Sequence, residues 1–207
     1  MYNPNSFAIT DTARLRDAIR ATGAAEVITF GTEGIEVSIV ALLVSDDGMT
    51  LTGHLSKANP QWKNADLSVP VLVTWRGPDA YVSPSYYPSK AEHGKVVPTW
   101  NYITIHARGC LVIHDDPIWV RQLVGSLTDF HEANFAEPWG LGDAPPSYVD
   151  TMVQEIVGIE VQVTSLEGKW KLSQNRPPSD VAGVIAGLAS HGPSSDGLRV
   201  AEAMMHL

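Results

Sequence analysis

Between residues 26 and 75 the chain is built from short runs rich in Val, Ile, Thr and Leu, at 26–30, 35–45, 49–55 and 69–75, separated by Gly- or Asp-containing turns. Runs of this composition, bounded by turns, carry the β-branched residues that strands favour. Asp46-Asp47-Gly48 is the clearest hairpin turn. Further strands are expected at 80–83, 102–107, 110–114 and 158–165, and at 170–172 after a Leu166-Glu167-Gly168 turn. Many closely spaced strands favour a barrel or sandwich over a parallel sheet.

Helical spacing marks the remainder. Residues 11–22 carry Leu15, Ala18 and Ile19, with Asp11 as a cap and Gly23 as a stop. Asp116-Pro117 opens a helix to about Asn134, with Ile118, Val120, Leu123, Val124, Leu127 and Phe130 along one side. A short helix starting near Pro146 includes Ile156, another opens at Pro178, and 198–206 is weakly helical. Residues 140–147 and 191–197 are rich in Gly, Pro and Ser and read as loops. Helices that do not alternate with strands give an α+β, mainly β fold. The division expected is one domain over 1–190, then a C-terminal tail or short helix over 191–207.

Composition bounds the partners. The 14 Lys and Arg against 23 Asp and Glu give a net charge of −9, which opposes phosphate backbones unless a local basic patch intervenes. The single cysteine, Cys110, lies in an apolar run and reads as a buried thiol of a reducing compartment, so a cytoplasmic protein is expected. No stretch has a signal-peptide pattern or a membrane-spanning length of apolar residues. Dinucleotide, P-loop, zincin and α/β-hydrolase signatures are absent, and the seven histidines are too scattered for a metal set.

Three clusters carry chemistry. Gly53-His54-Leu55-Ser56-Lys57-Ala58-Asn59-Pro60-Gln61-Trp62 brings an imidazole, a hydroxyl, a cation and an amide to a strand end. Such groups suit a phosphate, or simply a capped turn. Gly77 to Tyr87 and Val97 to Tyr102 mix aromatics with Ser, Thr and Asn, able to hold a planar ring or to pack a barrel. In Gly168-Lys169-Trp170-Lys171-Leu172-Ser173-Gln174-Asn175-Arg176, alternation puts Lys169, Lys171 and Ser173 on one strand face, a solvated edge or one wall of an anion site.

With Met1-Tyr2-x-Pro4-x-x-Phe7, Val97-Pro98-Thr99-Trp100-Asn101-Tyr102 and Tyr81-Val82-Ser83-Pro84, these clusters appear in an order that resembles the FMN-binding split-barrel family of negative transcriptional regulators, the protease synthase and sporulation type. The resemblance runs over about residues 1 to 190. It implies a six-stranded split barrel, a homodimer, and FMN in clefts at the subunit interface. It implies a phosphate side formed by His54, Ser56, Lys57 and Asn59, where many relatives carry Arg in place of Lys57. The ribityl and ring side falls to Ser83, Trp100, Tyr102, Lys171, Ser173, Gln174 and Asn175, with Thr29 on the strand that approaches the flavin. A flavin-dependent oxidoreductase or flavin-linked regulator follows. No catalytic residue declares itself, although His54, His106 and Tyr102 are available. A transcriptional regulator is the alternative, yet no helix-turn-helix with a basic recognition helix is evident. Haem binding or degradation is a third reading, by analogy with other split barrels.

Overall fold

The computed structural model describes residues 1–191 and 195–207, of which His191 and Ser195 are described by backbone alone. The chain divides into two compact units. The first holds residues 1–11, 76–105 and 167–207, and the second residues 12–75 and 106–166.

The sheet has eight strands: β1 (Ala8–Ile9), β2 (Ala24–Gly31), β3 (Gly34–Ala41), β4 (Leu43–Val44), β5 (Thr50–Ser56), β6 (Val71–Val82), β7 (Thr99–His114) and β8 (Ile156–Lys171). The expected count of six is corrected by β1 and β4, two residues each, too short to leave a sequence pattern. Seven strands follow the order β3-β2-β6-β7-β8-β5-β4, and β1 pairs with β8. The pairs β2–β3, β2–β6, β4–β5, β5–β8 and β1–β8 are antiparallel.

Three expected breaks are absent, because pairing overrides local turn chemistry. The strands expected at 69–75 and 80–83 merge into one, β6, which runs from Val71 to Val82 despite Pro78. The β2–β6 register covers only Leu72 to Thr74, so no bond to β2 is asked of the missing Pro78 N–H. Residues 102–107 and 110–114 join in β7. At Gly109 a Cβ would lie 2.2 Å from the Gln162 carbonyl oxygen, so this glycine permits close approach and makes no turn. The Leu166-Glu167-Gly168 segment stays extended within β8, where Gly168 and Lys169 pair with Ile9 and Ala8.

The helices are α1 (Thr12–Thr22), α2 (Gln61–Asn64), α3 (Ser89–His93), α4 (Pro117–Glu132), α5 (Pro146–Gln154), α6 (Pro178–His191) and α7 (Ser195–Met205). In α1 Leu15 and Ile19 are buried, and Gly23 at φ +75° ends the helix by donating its N–H to the Ile19 carbonyl. Asp116 caps α4 by accepting from the Ile118 N–H. Val120, Leu123 and Leu127 are buried there, whereas Ile118 and Phe130 are exposed at the ends of the stripe. Ile156 belongs to β8, opposite Ser56, and not to α5. The 140–147 loop contains a 3-10 turn, Leu141–Asp143. Of the expected 191–197 loop, residues 192–194 lie outside the described residues, and α7 starts at Ser195, earlier than expected.

Each unit has its own apolar interior. In the second unit β2, β5 and β6 bury Val27, Leu51, Val73 and Trp75, each worth about 1.5–3 kcal/mol on burial. In the first, α6 and α7 bury Val184, Leu188, Val200 and Met204. Cys110 is exposed, contrary to expectation, because strand alternation turns Leu111 inward and its neighbour outward. Among the described residues no helix is long and apolar enough to cross a membrane.

Candidate functional site

The His54–Asn59 cluster lies at the end of β5 in the second unit. His54 pairs in register with Gly158, and Ser56 with Ile156. The Lys57 N–H donates to the Glu155 carbonyl at 2.8 Å, which turns the chain out of the sheet. Ser56 Oγ accepts from the Ala58 N–H, while Asn59 accepts from the Gln61 N–H at 2.9 Å and donates to Ser38 Oγ at 2.9 Å. Most of these polar atoms therefore build the turn itself. Lys57 Nζ meets Asp115 Oδ1 at 2.6 Å, so its charge is already partnered. The exception is His54, whose Nδ1 is buried with no hydrogen-bond partner among the described residues. Burial holds its imidazole below the usual histidine range.

Thr29 is buried on β2, and its hydroxyl accepts from Gln61 Nε2 at 3.1 Å. The same amide reaches the Val27 carbonyl at 2.9 Å. Gln61 thus ties α2 to β2 from a fully buried position, a role that its place in the sequence cluster did not distinguish from a surface amide.

In the first unit the end of β8 and the start of β7 make a small polar concavity of about 150 Å³. Thr99 and Asn101 line it from β7, and Lys171, Ser173, Asn175 and Arg176 from the end of β8 and the turn beyond, with Phe7 beside them. Lys171 Nζ donates to Thr99 Oγ1 at 2.7 Å and to the Trp100 carbonyl. Lys169 Nζ donates to the Tyr2 carbonyl at 3.0 Å. Both ammonium groups lie over the Tyr102 ring, at 5.4 and 5.9 Å. The Arg176 guanidinium stacks over Tyr87 at 5.1 Å.

None of Lys169, Lys171 and Arg176 forms an ion pair among the described residues. Burial first, then the Lys169 and Arg176 charges, push the Lys171 ammonium below its ordinary pKa. Lys169 and Lys171 share a face, as alternation requires. Ser173 does not join them, because β8 ends at Lys171 and Ser173 adopts φ +66°, the one left-handed non-glycine residue among those described.

The other expected residues of this unit have defined positions. Gln174 spends its amide on the backbone, accepting from the Leu172 N–H and donating to the Trp170 carbonyl. Ser83 accepts from the Ser85 N–H and caps the 3-10 turn Pro84–Tyr86. The Trp100 ring is half exposed and tilted against Tyr81, with its Nε1 donating to Asp79 Oδ1 at 2.8 Å; Arg76 grips the other Asp79 oxygen. Thr99, Asn101 and Arg176 were not singled out from the sequence. The signal was present for the first two, two residues apart on one strand face, and for Arg176 as the last cation of the third cluster.

Residues 1–165 match the family described as "Putative FMN-binding domain". The chain belongs to this flavin-binding family. It is 35% identical over 168 residues to an uncharacterized protein of Emericella nidulans, covering 69% of this chain and 67% of that one. It is 28% identical over 188 residues to the protease synthase and sporulation protein PAI 2 of Bacillus subtilis, covering 89% of this chain and 87% of that one. Among solved structures, the FAD and haem binding protein from Mycobacterium smegmatis superposes with a TM-score of 0.58 at 15% identity, over 84% of this chain and 78% of that one. The fold is accordingly the split barrel, mainly β with helices added, and the family match extends from β1 to near the end of β8.

Proposed function

We propose that this protein binds FMN as a cytoplasmic homodimer and acts as a flavin-dependent oxidoreductase. The observation that carries the reading is the family match across residues 1–165, which takes in the His54–Asn59 turn. That turn carries groups that fit a phosphate: a hydroxyl at Ser56 with its proton free to donate, and an ammonium at Lys57 that would exchange Asp115 for the phosphate, beside the orphaned Nδ1 of His54. In this reading Lys57 and Ser56 bind the phosphate, and Asn59 holds the turn in shape through Ser38 and Gln61. When bound, FMN supplies the hydride and single-electron chemistry, while the protein contributes position and field.

A dimer is supported by an exposed apolar sheet face. Ile35, Val37 and Ile39 alternate along β3 and are 72%, 57% and 78% exposed, and Phe30 pairs with Ile35 on the same face. On a monomer such a face would invite association. Direct DNA binding has little support: in α4 the Arg121 guanidinium is paired with Asp150 at 2.6 Å, and the net charge is −9.

The test is an absorbance spectrum of the purified protein with and without FMN, then anaerobic NADH or NADPH. Bound flavin that bleaches supports the oxidoreductase reading. Bound flavin that neither nucleotide reduces would leave a flavin-binding protein without that activity. A chain that ignores FMN at micromolar concentration would remove the whole reading.

A further inference from the structure

The concavity at the end of β8 is complete within the first unit, and three of its lining residues, Lys171, Ser173 and Asn175, are ones the family resemblance implies for the ribityl and ring side of the flavin. We propose that it is an oxyanion site, in which Lys171 and Arg176 bind a phosphate or phosphate-like group with Thr99 and Asn175 at its wall. Three observations meet there. Lys169, Lys171 and Arg176 are gathered in a chain of net charge −9, and none has a carboxylate partner among the described residues. Lys169 is buried and Lys171 partly so, although desolvating a cation is unfavourable unless something compensates it. The carbonyls and the Tyr102 ring compensate only in part, and of the three cations Lys171 and Arg176 line the concavity.

The size of that space selects the ligand. A volume of about 150 Å³ falls below the ~300 Å³ at which pockets for drug-sized ligands start. Its enclosed part matches a group of phosphate size. Arg176 adds a planar fork suited to two oxygens, and Lys171 adds a point charge. Ser173 is held in a left-handed conformation by its buried hydrogen bonds to Asn101, and it carries the turn that brings Asn175 and Arg176 back to the cavity.

Calorimetric titration of the full chain with inorganic phosphate, at constant ionic strength in chloride, tests the site. Saturable one-to-one binding is expected, weakened about tenfold in Arg176→Gln, as for loss of a hydrogen bond to a charged group, and partly restored in Arg176→Lys. Lys90→Gln, an exposed lysine on α3, is expected to bind phosphate as the parent chain does. Absence of saturable binding, or equal weakening by Lys90→Gln and Arg176→Gln, would overturn the proposal. Repeating the titration with FMN and with riboflavin separates two sources of the oxyanion. Phosphate binding blocked by FMN and not by riboflavin assigns the site to the flavin's own phosphate. Binding that persists beside FMN assigns it to a separate small anionic molecule. A chain that binds phosphate but no flavin would sustain the oxyanion site while removing the flavin reading.

Discussion

Asn101 and Ser173, 72 residues apart in the chain, hold each other through a reciprocal pair of hydrogen bonds, Asn101 Nδ2 to Ser173 Oγ at 3.0 Å and Ser173 Oγ to Asn101 Oδ1 at 3.2 Å. Both are buried, and Ser173 is held at φ +66°. Ser173→Ala leaves the Asn101 amide short of a buried partner without relieving the backbone, and is expected to cost about 1–3 kcal/mol. Ser173→Gly loses the same bond but accepts the left-handed conformation, so it should recover about 1 kcal/mol of that loss. Urea denaturation of the two variants reads the difference directly, and equal stabilities would mean that the backbone at 173 is not strained.

Gly158 lies against Trp119, where a Cβ would come within 2.2 Å of the indole. That indole stacks on the His114 ring at 3.8 Å between centroids, and His114 Nε2 meets Glu160 at 3.1 Å. Gly158→Ala should therefore displace Trp119 and destabilise the second unit by about 1–3 kcal/mol, the usual cost of overpacking. A changed tryptophan emission together with a lower urea midpoint is the expected pair of signals.

His54 makes stability depend on pH. Its folded-state pKa is lowered by burial from the ordinary 6.5, so below 6.5 the unfolded chain binds the proton more readily. Stability should fall as pH drops from 6.5 through the folded-state value, and level off below it. In His54→Gln that part of the pH dependence should vanish, as measured by denaturation midpoints between pH 7.5 and pH 5. An unchanged slope in the variant would assign the dependence to other groups.

Asp115 competes with any phosphate for Lys57 at the β5 turn. If Lys57 binds the FMN phosphate, Asp115→Asn frees its ammonium and should tighten FMN severalfold, in line with the ~0.2–1 kcal/mol of an exposed pair. Lys57→Ala should weaken it. Flavin fluorescence quenching measures both, and FMN affinity that ignores both changes would move the phosphate contact elsewhere.

The β3 face sets the oligomeric state in the proposed reading. Ile39→Glu puts a charge at a position 78% exposed in the single chain, so it should leave the fold intact and halve the mass seen by analytical ultracentrifugation. A parent chain that already sediments as a monomer would refute the dimer.

Local chemistry was legible wherever a few neighbouring residues decide it. The Asp116-Pro117 start of α4, the Gly23 stop of α1 and the turn at residues 46–48 follow from caps and left-handed glycines, and the structure has each of them. The flavin-binding family was legible because its residues come in ordered clusters. Strand continuity was not. Gly109 and Gly168 read as breaks, yet lie inside β7 and β8, because pairing partners distant in sequence supply the bonds that a local turn would have made. The exposure of Cys110 followed from register, which shifts every side chain to the opposite face with a slip of one residue.

The candidate sites divide along the same line. The sequence by itself determined which cations, hydroxyls and amides stand near one another in the chain, and its net charge made any cluster of Lys and Arg conspicuous. Only the tertiary structure decided which of those groups are already spent. Lys57 is partnered by Asp115 and Gln174 by backbone, while Lys171 and Arg176 line a cavity with no carboxylate partner among the described residues. The physical reason is that hydrogen bonding and charge pairing are short-ranged. A side chain's availability depends on neighbours that the fold brings from 58 or 72 residues away, and that proximity leaves no mark on local sequence.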